Sequence, residues 1–181
     1  MNQFKANNKR SLLDRIVSRY YRKKLGLTDN SIMFDAFVHI MRFPNNITLK
    51  SGVYVKGGVR LCPCNVNASI CIGENTTIGY NTFVFSSGSI TIGDNCMIAP
   101  NVYIVDSDHG TQRDYEMNKQ QNIIAPVVIE NDVWVGTGAV ILKGTYIPQG
   151  CIIAANAVVK GKLEPYSIYA GIPAKKIGER K

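Results

Sequence analysis

Aliphatic residues recur at every sixth position over most of the chain. They run in four phases: Ile47, Val53, Val59; then Ile72, Ile78, Val84; then Ile92, Ile98, Ile104; then Ile129, Val135, Ile141, Ile147, Ile153, Val159. Four residues after most of them stands a small side chain, in Ser51, Gly57, Thr76, Thr82, Cys96, Ala139, Thr145, Cys151 and Ala157. A period of six matches neither an amphipathic helix nor a simple alternating strand.

A short strand followed by a corner explains this period. If each six-residue unit forms one side of a triangular coil, the aliphatic residue points inward and stacks on its counterparts in the next coils. Hexapeptide periodicity is typical of a parallel β-helix. Coils would stack at about 4.8 Å, and each buried aliphatic side chain would contribute roughly 1.5 to 3 kcal/mol before entropy. The pattern predicts a mainly β chain whose corners are filled by small residues, including the thiols of Cys96 and Cys151.

Two interruptions break the repeat. Between Val84 and Ile92 the phase slips by two residues at the run Ser-Ser-Gly-Ser. Between Ile104 and Ile129 the gap is longer, and it contains His109, one of two histidines in the chain, among acidic and basic residues. Residues 106–126 are too polar to continue the core, so they are predicted to leave the triangle as an outward loop.

The N-terminal part of the chain predicts a helix rather than more repeat. Residues 10–25 place apolar side chains at helical spacing, with Ser11 as a plausible N-cap; they are Leu13, Ile16, Val17, Tyr20 and Tyr21. One interpretation is a helix that packs against the β-helix or covers its end. The other is attraction to an anionic membrane surface or an acidic glycan carrier. The division is therefore a helical and connecting segment, 1–46, followed by a β-helix domain, 47–178.

The net charge of +8 is concentrated at the two ends of the chain. Residues 1–24 carry +7 and residues 175–181 carry +3, while residues 25–174 carry −2. A near-neutral body without aromatic stacking motifs argues against nucleic-acid binding. No apolar run approaches 18 residues, and no secretory signal pattern is present, so a cytoplasmic protein with reduced thiols is expected.

The five cysteines give no metal-binding pattern. They show no C-x-x-C spacing, and the Cys-Pro-Cys run at residues 62–64 stands without a second pair. No zinc or other metal site is expected from them.

The residues as a set resemble the hexapeptide-repeat acyltransferases. The resemblance rests on the repeat, the excursion with His109, the segment NDVWVGTGAVILKGTYIPQGCIIAANAVV (131–159) and the tail YAGIPAKKI (169–177). It covers about residues 47–178 and is strongest to sugar and polysaccharide O-acetyltransferases, including maltose and galactoside acetyltransferases and capsule or lipopolysaccharide modifiers. It implies a left-handed β-helix, a homotrimer, and acetyl-CoA in the cleft between subunits, with the loop helping to form the pocket for a small sugar or glycan acceptor.

The resemblance implies a catalytic role for His109. A sugar hydroxyl is a poor nucleophile at neutral pH, and histidine can accept its proton and return it to the leaving thiolate. Asp106 and Asp108 are the candidates for orienting the imidazole. Trp134, the one tryptophan, either packs on the coil surface or donates its indole N–H to developing negative charge. His39 precedes the repeat and is interpreted as structural.

The resemblance also suggests where coenzyme A lies. The pantetheine arm would follow the backbone at Thr137, Gly138 and Ala155, where small residues allow close approach. Lys160 and Lys175 are the candidates for the nucleotide phosphates. Family members commonly have Thr/Ser-Lys-Asp after the last aliphatic pair, whereas this chain reads Lys-Gly-Lys from residue 160, so the choice between lysines stays open.

Other functions remain open on the sequence. The acceptor could be the amine of an amino-sugar or antibiotic, the acyl group could be longer than acetyl, and a non-catalytic solenoid that binds partners is a further alternative. The related γ-type carbonic anhydrases require three histidines per zinc site, and two histidines cannot supply them.

Overall fold

In the computed structural model, which describes residues 11–181, the chain forms a left-handed β-helix of six triangular coils. The coils stack into three parallel sheets, so the solenoid is a three-sided prism with its core along the axis. Sheet A contains β1, β4, β7, β10, β15 and β18, sheet B contains β2, β5, β8, β11, β16 and β19, and sheet C contains β3, β6, β9, β14 and β17. The strands are β1 Met33–Phe34, β2 His39–Ile40, β3 Ile47–Leu49, β4 Tyr54–Val55, β5 Arg60–Pro63, β6 Ser69–Ile72, β7 Thr77–Ile78, β8 Phe83–Ser86, β9 Ser89–Ile92, β10 Met97–Ile98, β11 Tyr103–Val105, β12 Ser107–Asp108, β13 Ile123–Ile124, β14 Val127–Ile129, β15 Trp134–Val135, β16 Val140–Ile141, β17 Tyr146–Ile147, β18 Ile152–Ile153, β19 Val158–Val159, β20 Ser167–Gly171 and β21 Ala174–Glu179.

All fifteen aliphatic residues of the six-residue pattern are buried, as predicted, but one phase has a different register. The partners of Ile72, Ile78 and Val84 in the coil below are Leu49, Val55 and Leu61. These lie two residues after Ile47, Val53 and Val59. Because side chains two apart on a strand share a face, both sets point inward, and burial alone could not separate the two registers.

The corners explain the small residues of the sequence pattern. Cys96 and Cys151 are fully buried, as predicted, and each thiol lies 3.0 Å from a backbone carbonyl oxygen. Burial raises the pKa of the Cys96 thiol to about 11, so this thiol stays protonated at neutral pH. Ser51 and Gly57 are not buried, because Val53 and Val59 occupy the corresponding inner positions under the corrected register.

Most corners turn through a residue of positive φ. At the corners that lead into sheet A these residues are Gly52, Asn75, Asn95, Asp132 and Gly150. At the corners that lead out of sheet A they are Gly58, Asn81, Asn101, Gly138 and Asn156. Glycine, asparagine and aspartate tolerate this conformation best. The first coil is the exception, because Phe37 has φ 62° at the equivalent corner.

The N-terminal helix, α1, spans Leu12–Lys24 and covers the end of the solenoid. Ser11 caps it, as predicted, in a reciprocal capping box with Asp14. The Ser18 hydroxyl accepts a hydrogen bond from the backbone N–H of Phe34 and donates one to the carbonyl of Phe34. These two bonds satisfy backbone hydrogen-bonding groups at the outer edge of β1. The helix therefore caps a sheet edge that would otherwise be open.

The solenoid begins earlier than the predicted boundary at residue 47. β1 and β2 already pair in parallel with β4 and β5, so the first coil starts at Met33. The boundary was missed because Pro44–Asn46 form a 3-10 turn that interrupts the six-residue spacing between β2 and β3. At the other end β20 and β21 form an antiparallel hairpin on sheet A.

Candidate active site

The predicted loop leaves the prism at the corner between sheets B and C. It departs after β11 and returns at β14, and its two arms pair as the antiparallel strands β12 and β13. Neighbouring coils cross the same corner in a few residues, with Ser87 and Gly88 in the coil below and Lys143 and Gly144 in the coil above. The excursion is therefore a single long insertion at one corner of an otherwise regular coil.

Asp106 fixes the base of the loop. Its carboxylate is fully buried and accepts hydrogen bonds from the Ser86 hydroxyl at 2.8 Å and from the backbone N–H groups of Ser87 at 2.6 Å and Gly88 at 2.9 Å. Both oxygens are used in these bonds. Asp106 therefore joins the loop to the coil below, and its role in orienting the imidazole of His109 stays a prediction.

His109 is exposed at the start of the outer part of the loop, directly after β12. The neighbouring Asp108 carboxylate lies 3.4 Å from the ammonium of Lys143, on the coil above. In residues 11–181 no hydrogen bond joins the His109 ring to Asp106 or Asp108. The orienting role of Asp108 stays a prediction, and Lys143, which sequence reasoning did not select, holds this carboxylate beside the histidine.

The outer part of the loop has its own internal structure. The Gln120 amide accepts from the backbone N–H of Gln112 and donates to the carbonyls of Gln112 and Tyr115. A Cβ at Gly110 would lie 2.6 Å from the Gln120 side-chain oxygen, so only glycine allows this closure next to His109. The loop is thus a closed, hydrogen-bonded unit that presents the histidine at its base.

A groove of about 380 Å³ runs along the outside of sheet A. Trp134 is 48% exposed and stands at one end, on the fifth coil, beside Met97 on the fourth. Tyr80 lies on the third coil and Lys56 on the second. Three coil spacings separate the levels of Trp134 and Lys56, which is about 14 Å.

Lys56 closes the far end of this groove. It is 5% exposed, and its ammonium lies 3.7 Å from the centroid of the Tyr54 ring. Burial lowers the pKa of Lys56, while the carboxylates of Asp35 and Asp14 act in the opposite direction. Tyr54 donates its hydroxyl to Asp35 at 2.6 Å. Sequence reasoning missed Lys56, Tyr80 and Met97, and the signal that could have found them is their outward position on the strands or corners of sheet A.

The candidate coenzyme residues lie together at the corner between sheets A and B. Thr137 donates its hydroxyl to the carbonyl of Pro100, and its own carbonyl accepts from the N–H of Asn156. A Cβ at Gly136 would lie 2.6 Å from the backbone nitrogen of Ala155, so the fifth and sixth coils approach closely here. Thr137, Gly138 and Ala155 therefore form one continuous backbone surface next to Trp134.

The two candidate lysines lie apart. Lys160 is exposed at the corner between sheets B and C, and Lys175 is exposed on β21, paired with Ala170 on the hairpin of sheet A. The neighbouring Lys176 binds Glu164 at 2.6 Å and Glu179 at 2.9 Å. Lys162 lies over the Tyr146 ring, 5.4 Å from its centroid. Lys160 and Lys175 therefore lie on different elements, one after β19 and one on β21.

The candidate residues thus divide between two opposite sides of the prism. His109, Asp108 and Lys160 lie at the edge between sheets B and C. Trp134 and the backbone surface beside it lie on sheet A and at its edge with sheet B. In a three-sided prism the edge between two sheets is opposite the third sheet. A single chain therefore keeps His109 away from Trp134.

His39 is exposed on the first coil, on the outer face of sheet B beside Arg60.

In residues 11–181 no three histidine, cysteine, aspartate or glutamate side chains are grouped so as to hold a metal ion. Across the same residues no helix is both long and apolar enough to cross a bilayer.

Two stretches of the chain match repeat families of known transferases. Residues 126–161 match the bacterial transferase hexapeptide (six repeats), and residues 69–105 match the hexapeptide repeat of succinyl-transferase. The first stretch contains β14 to β19 and the second β6 to β11, which are the coils on either side of the excursion. Both stretches of the chain therefore carry hexapeptide repeats of the kind found in transferases.

Two curated proteins are similar to this chain over more than half of its length. A probable acetyltransferase of Mycobacterium tuberculosis is 31% identical over 155 residues, which cover 85% of this chain and 52% of that protein. A putative lipopolysaccharide biosynthesis O-acetyl transferase of Escherichia coli K12 is 31% identical over 110 residues, which cover 56% of this chain and 49% of that protein. The chain thus spans about half the length of these curated relatives.

A similar solved structure is that of AntD, an N-acyltransferase from Bacillus cereus, in complex with dTDP and 3-hydroxybutyryl-CoA. It superimposes with a TM-score of 0.77 at 21% identity, over 91% of this chain and 89% of that chain. At this identity the likeness shows the shared fold.

Proposed function

We propose that this chain is an acetyl-CoA-dependent O-acetyltransferase that acetylates a sugar hydroxyl of a surface polysaccharide or glycan, with His109 as the general base. The carrying observation is that the one long excursion of the solenoid presents an exposed histidine, while the side opposite bears an apolar groove beside a small-residue backbone surface. The lipopolysaccharide relative supports a sugar hydroxyl as the acceptor, and the CoA complex of AntD supports coenzyme A as the donor.

The active site is formed between two copies of the chain in a homotrimer. This arrangement is supported by the opposite placement of His109 and Trp134, because only a second copy can bring the B–C edge to sheet A. It is also supported by exposed apolar side chains on both sides. Tyr115 and Met117 of the loop are each 66% exposed, and Tyr80, Met97 and Trp134 of the groove are 46 to 49% exposed. Contact between copies would bury these patches.

The two substrates approach from opposite ends of the seam. The backbone surface of Thr137, Gly138 and Ala155 lies on the fifth and sixth coils, and it takes the pantetheine arm. The groove extends from Trp134 the other way, to the second coil, so the acceptor lies there. Tyr80 and Trp134 present half-exposed rings on which the apolar face of a sugar can pack.

In the reaction, His109 takes the proton of the sugar hydroxyl as its oxygen attacks the thioester carbonyl carbon. The indole N–H of Trp134 from the neighbouring copy donates to the oxygen that becomes negative. The carbon–sulfur bond then breaks, and the imidazolium returns the proton to the thiolate. The products are the acetylated sugar and free coenzyme A.

The direct test is a thiol-release assay with acetyl-CoA against a panel of mono- and oligosaccharides. We expect release of coenzyme A with at least one neutral sugar that has no amine. If coenzyme A is released only with amino-sugars or aminated antibiotics, the reaction is N-acetylation and not O-acetylation. The similarity to AntD, an N-acyltransferase, favours this alternative. No release with any acceptor would favour a non-catalytic solenoid.

A second test addresses the shared seam. His109→Ala and Trp134→Ala proteins are unfolded together, mixed and refolded into mixed trimers. A seam that combines the intact His109 of one copy with the intact Trp134 of another is wild-type, and random assembly gives about a quarter of such seams. We expect activity in the mixture well above that of either variant alone. Strictly additive activity would show that the two residues act within one chain or not together.

A further inference from the structure

The N-terminal end of the solenoid exposes an apolar surface that no part of residues 11–181 covers. Helix α1 turns Ser18 and Tyr21 toward the first coil and leaves a second apolar stripe in solvent. The stripe, defined here as Leu12, Leu13, Ile16 and Tyr20, is 58 to 75% exposed. The sequence pattern grouped Leu13, Ile16 and Tyr20 with Val17 and Tyr21 as one apolar set at helical spacing. The structure separates them: Tyr21 lies in the core and donates its hydroxyl to the carbonyl of Val38, and Val17 packs against the core, whereas the stripe does not.

The first coil, at the same end of the solenoid, also exposes apolar side chains. Phe37 is 81% exposed, and Met41 and Phe43 are 36 and 38% exposed. Phe37 adopts a positive φ at a corner where every later coil has glycine or asparagine. A bulky residue in this conformation carries a backbone cost of order 1 to 3 kcal/mol. Folding alone would favour glycine there, so the exposed Phe37 side chain is a candidate for contact with something outside the chain.

Positive charge flanks the stripe. Arg15, Arg19 and Lys23 follow one border of the stripe along α1, and Lys24 lies at the other. Residues 11–50 contain seven lysines and arginines and three aspartates, a net charge of +4, whereas residues 51–181 have a net charge of +1. A second copy that laid its own α1 on this stripe would bring like charges together, which opposes such a contact. Residues 1–10 add three more cations and no acid to this end of the sequence.

We propose that the N-terminal end of the solenoid, through the stripe of α1 and its flanking cations, docks on an anionic lipid membrane surface. An apolar stripe bordered by lysine and arginine is the composition of helices that lie in the membrane interface. Each basic side chain near an anionic surface adds attraction that falls off within a Debye length. If the chain assembles with its prisms parallel, several stripes face one plane, and their binding is multivalent. The docking does not depend on the proposed reaction.

The test is cosedimentation of the full-length protein with vesicles of phosphatidylcholine, alone or with about a third phosphatidylglycerol. We expect binding to the anionic vesicles, little binding to phosphatidylcholine alone, and loss of binding as sodium chloride rises from about 0.1 to about 0.5 M. The variants Leu13→Gln/Ile16→Gln and Arg19→Gln/Lys23→Gln should each reduce the partition coefficient by at least about tenfold. Val66→Gln is the matched control, because Val66 is 69% exposed on a later corner and should bind as wild type.

Several results would overturn the proposal. Wild-type protein that stays in the supernatant with anionic vesicles would do so. A second such result is binding that the charge variant abolishes and the apolar variant leaves intact. That outcome would indicate purely electrostatic binding, which an acidic polymer could satisfy without a bilayer. Light scattering provides the last readout: a lower oligomeric mass for Leu13→Gln/Ile16→Gln would show that the stripe is an interface between copies. Circular dichroism of both variants confirms that α1 remains folded.

Discussion

Two successive coils cross the corner between sheets B and C in very different ways. The third coil turns from β8 to β9 through Ser87 and Gly88, whereas the fourth inserts residues 106–126 between β11 and β14. The ladder is nevertheless continuous on both sides, because β14 pairs in register with β9 and β17. A solenoid tolerates such an insertion because each coil is stabilised by its neighbours rather than by its own loop. Stability and chemistry can therefore be changed separately here, and the following variants examine that separation.

The largest effect is expected on turnover. His109→Ala should lower kcat by about a hundred- to ten-thousand-fold, because the general base is lost. The free energy of unfolding should change by less than about 0.5 kcal/mol, since the side chain is exposed. Steady-state thiol release and urea unfolding measure the two quantities. Asp114→Ala, another exposed residue of the loop, is the control and should keep wild-type turnover; a similar loss in that variant would mean that the loop, and not the histidine, is required.

Next in size is the core position that precedes the loop. Ile104→Ala should reduce the free energy of unfolding by about 2 to 5 kcal/mol, because a fully buried side chain stacked between Val84 and Ile141 leaves a cavity. Ile124→Ala, on the returning arm of the loop, is the matched variant at a half-exposed site and should cost less than about 0.5 kcal/mol. Equal costs in chemical unfolding would show that the loop belongs to the cooperative core.

Asp106→Ala tests the junction between the two regions. Removing this carboxylate leaves the buried N–H of Ser87 and the partly buried N–H of Gly88 without an acceptor, and we expect a loss of about 1 to 3 kcal/mol in unfolding free energy. Turnover should fall as well, because the loop base is no longer fixed. Unchanged stability together with a large loss of turnover would instead indicate that Asp106 acts in the chemistry.

The smallest effect is expected at the ion pair between Asp108 and Lys143. Asp108 is half exposed, so Lys143→Met should cost less than about 1 kcal/mol in unfolding free energy. If the pair holds the segment before His109 in place, KM for the acceptor rises more than kcat falls. A variant with wild-type kinetics would limit Lys143 to the surface of the coil.

Much of this architecture could be predicted from the sequence, because the same pattern of an inward aliphatic residue and a small corner residue recurs in most coils. The six-residue spacing predicted the β-helix, the buried thiols in the corners and the position of the loop, and helical spacing in residues 10–25 predicted the N-terminal helix. Where a local insertion disturbed the spacing, prediction failed: the turn at Pro44–Asn46 hid the first coil, and inward side chains two residues apart gave a register displaced by two. The six-residue period predicts well which residues are buried. It predicts less well which residue of the neighbouring coil each of them contacts.

The sequence by itself determined that inward aliphatic side chains and small corner residues would wind the chain into a prism, since that information is local and repeated. Only the tertiary structure decided which sides of the prism the chemical groups occupy. It placed His109 opposite Trp134, paired the Asp106 carboxylate by hydrogen bonds with the coil below, and left part of the apolar face of α1 exposed to solvent. Such placements depend on the number of residues in each coil and on contacts between residues distant in sequence, and no local pattern encodes them.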